Sequence, residues 1–184
     1  LLFLNNDTLV LPGWLDHLVE TFRLIPETGL AGSKLIYPDG RLQEAGCYIS
    51  RSGEVWGYGK SDDPRLPEYN HLREVDYCSG ASILIPNQLF VEVGGFDEKY
   101  LPAYCEDSDL ALKVKSLGKK VIYQPKSEVI HFEGTTSNDQ FEKFYHIKYR
   151  NLAIFAEYWR EKLIENGEIR DKARVNNSEY ANLA

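Results

Sequence analysis

The chain has 184 residues, 43% of them hydrophobic, enough for one domain with a real core and too apolar for a disordered segment. Lysine and arginine number 21 against 28 aspartate and glutamate. The resulting formal charge of -7 argues against a broad nucleic-acid surface, yet leaves room for a small phosphorylated ligand held by a few donors and a metal. Cys47, Cys78 and Cys105 are far apart with no C-x-x-C spacing, which argues against a disulfide framework or zinc site and for a reducing compartment. No apolar run approaches membrane-spanning length and no signal peptide is visible.

Leu1–Leu4 reads as a buried parallel strand that breaks off in Asn5-Asn6-Asp7-Thr8. Ligands of open α/β sheets bind beyond the carboxyl ends of strands. Asn5 and Asp7 fall on one side of an extended backbone, so they can hold a hard divalent cation; an Asx-capped turn explains them equally simply. Pro12-Gly13-Trp14 opens a helix with Leu15, Leu18, Val19 and Phe22 as its core stripe. A strand is predicted over Gly29–Tyr37. A hairpin or irregular excursion carrying Trp56 and Tyr58 follows over Arg41–Gly59, then an exposed loop over Lys60–Tyr69. Val75–Pro86 is the next strong strand. Its small residues, Ser79 to Ser82, let backbone approach either a ligand or a packed segment closely. A short helix ends at Gly94-Gly95.

Ala103–Leu112 holds three carboxylates within four residues: Glu106, Asp107 and Asp109. Leu110, Val114 and Leu117 give the helix that follows its apolar stripe, and Gly118 caps it. Glu106 and Asp107 therefore sit at a helix N-terminus, where free N–H groups and the dipole favour an ionised carboxylate able to accept a proton. Acids that merely decorate a first turn are the alternative. Two strands are expected over Lys120–Tyr123 and Ser127–Phe132. The second ends at His131 beside Glu133-Gly134-Thr135-Thr136-Ser137, a position that suits either a surface residue or a diphosphate contact. A long helix runs from Phe141 to about Ile164, with Phe155 and Trp159 in its apolar face and Arg150-Asn151 mid-way. Arg150 is expected to pair with a buried carboxylate. Residues 1–165 form one domain, and 166–184 a polar tail.

Four features in this order resemble one family: the strand into Asn5-Asn6-Asp7, the strand Val75–Ala81, the block Gly94-Gly95-Phe96-Asp97 to Glu106-Asp107-Ser108-Asp109-Leu110, and His131 followed by Arg150-Asn151. The chain is similar to family 2 glycosyltransferases, particularly the bacterial rhamnosyltransferase-like members. The block from Gly94 to Leu110 is the most specific part. The resemblance implies a GT-A type α/β fold, a mixed sheet flanked by helices, truncated at its N-terminus because the nucleotide-binding half of the family precedes D-x-D. It implies an inverting transfer from a nucleotide-diphosphate sugar to a glycan or lipid-linked acceptor in cell-envelope polysaccharide synthesis. The expected setting is the cytoplasm, with peripheral association at the inner membrane face, no nucleic-acid partner, and pairing of two copies through the truncated edge. Asp7 matches the last aspartate of D-x-D, and Asn5 departs from the first. His131 matches the late histidine that reaches the metal, Mn²⁺ or Mg²⁺. Asp107 matches the base, with Glu106 beside it. Cys78, Ser79 and Gly80 match a strand lining the sugar pocket, and Tyr104 and Trp56 are further substrate-binding candidates. Two other readings compete. A metal-dependent phosphohydrolase requires more acids or histidines near Asp7 than Asp16 and His17. A noncatalytic carbohydrate-binding module would use Trp56, Tyr58 and Tyr104.

Overall fold

The structure is a computed structural model that describes residues 1–133 and 141–165. Its axis is β3 (Thr28–Ile36), buried along almost its whole length. Helix α1 (Trp14–Leu24) and helix α3 (Glu106–Ser116) both contact it, so it is buried although Ser33 and Lys34 interrupt its apolar residues. β9 (Lys120–His131) runs parallel to β3. β8 (Ser82–Leu84) lies antiparallel on the other side, and β1 (Leu2–Leu4) antiparallel to β8. β2 (Thr8–Val10) pairs antiparallel with β9, placing Thr8 opposite His131. The order β1-β8-β3-β9-β2, with β4 (Leu42–Glu44) on β3 and β7 (Arg73–Glu74) on β9, makes a mixed seven-stranded sheet among the described residues. A separate hairpin joins β5 (Cys47–Ile49) to β6 (Val55–Gly57). Helix α2 (Asn87–Glu92) follows β8, and α4 (Phe141–Tyr158) meets the loop before α3 through Asn151. Phe155 is fully buried and Trp159 nearly so, as the periodicity predicts. No helix among the described residues is long and apolar enough to cross a membrane.

Several expectations are corrected. Leu1–Leu4 is an antiparallel edge strand rather than a buried parallel one. Only Phe3 turns inward, onto Phe90 and Phe96, while Leu2 and Leu4 remain 38% and 41% exposed. The buried face of α1 is rotated from the expected stripe. Leu18 and Thr21 are inside and Leu15 and Val19 are exposed, because the Thr21 hydroxyl accepts from Gln124 Nε2 (2.9 Å) on β9. The two strands expected over residues 120–132 are one. A bulge at Pro125 shifts the register with β3 between Gln124 and Glu128, and the Ser33 hydroxyl bonds Ser127 and Ser82 across it, each at 2.7 Å. The loop 60–69 is pinned to the sheet by the buried Lys34, whose ammonium donates to Asn70 Oδ1 (2.6 Å) and Glu128 Oε1 (2.9 Å).

Candidate active site

The segment 75–81 is not a continuous strand. It crosses β3 where Gly32 gives it room: a Cβ there would stand 2.1 Å from the Cys78 Cβ. Cys78 is consequently 1% exposed, its thiol near the Ile122 carbonyl. Its side chain packs the crossing and is not at a surface where a sugar could meet it. Because the ladder is interrupted at this point, the next two amides are free to bind side chains. Ser79 N–H donates to Glu44 Oε1 (3.1 Å) and Gly80 N–H to Asp107 Oδ2 (3.0 Å).

Asp107 is thus held from two sides, since its Oδ1 also accepts from Ser108 N–H (2.7 Å) in the first turn of α3. The chain enters that turn through Tyr104 and Cys105, both in the left-handed region with φ of 75° and 73°. Strain at such positions, about 1–3 kcal/mol each, persists only where surroundings impose it. Here the surroundings are α4. The buried Asn151 amide donates to the carbonyls of Tyr100 (2.6 Å), Ala103 (2.7 Å) and Tyr104 (3.1 Å). Arg150 is exposed and does not pair with a buried carboxylate. Its guanidinium donates to the carbonyl of Leu101 (2.7 Å) and to Asn151 Oδ1 (2.9 Å). Asp109 is the fully buried acid of the cluster. It accepts from Trp159 Nε1 (2.8 Å) and the Tyr100 hydroxyl (3.1 Å) and is paired with Lys113 (2.8 Å), a structural set.

Electrostatics separates the remaining acids from the expectation of an ionised helix-cap pair. Burial pushes Glu106 up to about 7, with the nearby Asp107 charge adding to it. Burial also raises Asp107, against the pull of the Gly80 and Ser108 amides. Desolvation outweighs the helix terminus. Glu44 is a third raised acid, at about 7. Burial is again the main cause, opposed by the Cys47 thiol and the Ser79 amide.

A second group forms beside it, where β1 and β9 end. His131 Nε2 lies 3.3 Å from Asp7 Oδ1 and 3.5 Å from Asn5 Nδ2. Its Nδ1 stands 3.1 Å from Gln43 Oε1, which fixes the ring and turns Nε2 toward Asp7. A carboxylate oxygen and an imidazole nitrogen at this distance can share a proton or a cation. Two adjacent ligands of an octahedral ion with bonds of about 2.0–2.1 Å stand at a similar separation. The pair therefore fits a divalent ion. No cluster of three or more acid, histidine or cysteine ligands exists among the described residues, so water or a ligand's oxygens would have to complete the shell. The Gly/Thr/Ser segment 134–137 beside His131 lies outside the described residues, as does the tail 166–184.

The two groups adjoin. Asn5 N–H donates to the Ala81 carbonyl (3.0 Å), one residue from Gly80, and β4 sends Gln43 to His131 and Glu44 to Ser79. The structure brings together Asp7, His131, Glu106, Asp107, Ser79 and Gly80, along with Gln43 and Glu44, which the sequence reading did not single out. Their only signal was a polar pair between Leu42 and Ala45 in a short strand that ends in a glycine turn. Trp56 stands apart on β6, 60% exposed, lining an open cavity of about 610 Å³ with Lys60, Ser61 and Asp62. Tyr104 is partly buried beside the acid cluster.

No protein-family model matches the chain. It superimposes on GalNAc-T7, solved with UDP, GalNAc and Mn²⁺, with a TM-score of 0.54 and 16% identity over 79% of this chain and 30% of that one. The fold is therefore that of the GT-A glycosyltransferases. In sequence it is 33% identical over 147 residues to the O-antigen biosynthesis protein RfbC of Myxococcus xanthus, covering 74% of this chain and 11% of that protein. It is 30% identical over 138 residues to the N-acetylglucosaminyl-diphospho-decaprenol L-rhamnosyltransferase of Mycobacterium tuberculosis, covering 69% and 45%. The chain thus has the GT-A fold and is similar in sequence to rhamnosyltransferase-like glycosyltransferases, and it spans less than half the length of either relative.

Proposed function

We propose that the protein carrying this chain is an inverting glycosyltransferase. It moves a sugar from a nucleotide-diphosphate donor to a glycan or lipid-linked acceptor in cell-envelope polysaccharide synthesis, at the cytoplasmic face of a membrane. The observation that carries the reading is the convergence of Asp107 with the Asp7–His131 pair, a hundred positions apart in sequence, around the Ser79–Ala81 crossing. A purely structural helix-cap acid has no need to bond the amide next to Ala81, whose carbonyl anchors Asn5.

In this reading Asp107 is the base. The acceptor hydroxyl gives its proton to the carboxylate as its oxygen attacks the sugar C1; the bond from C1 to the diphosphate oxygen breaks, and the diphosphate leaves from the opposite face. No covalent intermediate forms, so configuration inverts. Asp7 and His131 would hold a divalent ion, Mn²⁺ or Mg²⁺, which when bound takes up charge on the leaving diphosphate. Gly80 and Ser108 hold the base carboxylate in place and oppose the effect of burial on it. Trp56 offers an aromatic face for a sugar ring on the acceptor side.

Asp107→Asn keeps the shape and removes the basic oxygen. It should lower turnover by about 10²- to 10⁴-fold while leaving binding of a nucleoside diphosphate with Mn²⁺ nearly unchanged. Near-normal transfer by this variant, measured with radiolabelled nucleotide sugar, would remove Asp107 from the role.

A further inference from the structure

The crossing at Ser79-Gly80 is clamped by two carboxylates from opposite directions. Consecutive amides point to Glu44 Oε1 (3.1 Å) and Asp107 Oδ2 (3.0 Å), so the two peptide planes that meet at the Ser79 Cα are each held by one carboxylate. Glu44 is only 7% exposed, and its other carboxylate oxygen accepts from the Cys47 thiol at 3.1 Å. No lysine or arginine pairs with it among the described residues' ion pairs. A backbone amide needs only an acceptor. A buried carboxylate is a costly one, and a carbonyl or carboxamide would serve the fold at less expense. Gly57 packs directly on this residue, where an added Cβ would stand 3.1 Å from the Glu44 Cβ, so the side chain has little freedom to leave the amide.

We infer that Glu44 is a positioning residue for the base: by holding the Cys78–Ser79 peptide plane it fixes the backbone at Ser79, and with it the direction of the Gly80 N–H and the orientation of the Asp107 carboxylate. This rests on the assignment of Asp107 proposed above. The geometric half of the inference does not. If Glu44 leaves, the Ser79 N–H is freed, the Cys78–Ser79 plane can turn and the Ser79 dihedrals shift with it, and the Gly80–Asp107 bond weakens although neither of its partners has changed.

Two measurements test this. In amide hydrogen exchange on the chain, Gly80 should be protected in the wild type and in Glu44→Gln, whose carboxamide oxygen still accepts from Ser79. In Glu44→Ala its exchange should be faster by about tenfold or more, with the β3 amides unchanged. Unchanged Gly80 protection in Glu44→Ala overturns the inference, and so does equal loss in Glu44→Gln. In transfer assays on the protein carrying the chain, Glu44→Ala should lower kcat by about 10- to 100-fold with the donor KM nearly constant, and Glu44→Gln should restore most of it. In an Asp107→Asn background Glu44→Ala should add almost nothing, because its effect passes through that carboxylate. Losses that multiply would show that Glu44 acts elsewhere. Should Asp107→Asn alone retain transfer, the base assignment fails while the exchange result at Gly80 still decides the clamp.

Discussion

Glu44 also makes a prediction about pH that separates burial from chemistry. In the unfolded chain its carboxyl titrates near 4.5, and in the fold near 7, because the charged form is desolvated. Between those values the folded state holds a proton that the unfolded state has released, so this residue's contribution falls as pH rises through that window and is flat below it. Glu44→Gln removes the titration. Its stability relative to wild type should improve by roughly 1–3 kcal/mol between pH 5 and pH 8 in denaturant titrations. A constant difference would mean that the carboxyl ionises normally. Legibility at this scale follows position. Asp7 and His131 end strands, and Asp107 opens a helix, so local pattern exposes all three. Glu44 and Gln43 occupy a three-residue strand between apolar neighbours, and their partners Ser79 and His131 are 35 and 88 positions away. Nothing local marks them.

Elements hold the strained entry to α3 in place, and α4 supplies the decisive group. The pattern identified this helix and its buried Phe155 and Trp159, and it singled out Arg150-Asn151 as unusual. It misassigned which of the two matters. Arg150 reaches exposed carbonyls from the rim, whereas the fully buried Asn151 satisfies three carbonyls of the loop that sets Tyr104 and Cys105 at positive φ. A sequence shows that a polar residue lies on an apolar face, but not that its partners are backbone rather than a carboxylate. Asn151→Ala strands those carbonyls and should destabilise by about 1–3 kcal/mol, read as a lower denaturant midpoint. Arg150→Ala should cost well under that, because its bonds face water. Equal effects of the two substitutions would contradict the clamp. The Ser79-Gly80 break is the complementary lesson. An unbroken strand was the simplest reading of Val75–Ile85, and only the close approach at Gly32 explains why the chain leaves the ladder there.

At the scale of the whole molecule, periodicity found most elements but not the direction in which they pair. Parallel and antiparallel neighbours share the same apolar runs, so β1 was placed with buried parallel strands although it closes the sheet antiparallel on β8. That placement has a consequence for the chain as a separate molecule. β1 pairs with β8 alone among the described residues, its other backbone edge is open, and Leu1, Leu2 and Leu4 are 47%, 38% and 41% exposed beside it. An open, apolar, uncharged edge is a template for another strand, and two copies meeting edge to edge would satisfy both. The net charge of -7 opposes association only weakly at physiological salt, where screening acts within about 8 Å. We therefore expect concentration-dependent self-association in sedimentation equilibrium, with mass rising above the 21.1 kDa of one chain. Leu4→Lys places a charge on that edge at little cost to a side chain already partly in water, and it should return the chain to a monomer without altering the Asp7–His131 or Asp107 groups. A wild-type chain that stays monomeric at high concentration, or a Leu4→Lys variant that associates as strongly, would show that the edge is not the surface through which copies meet.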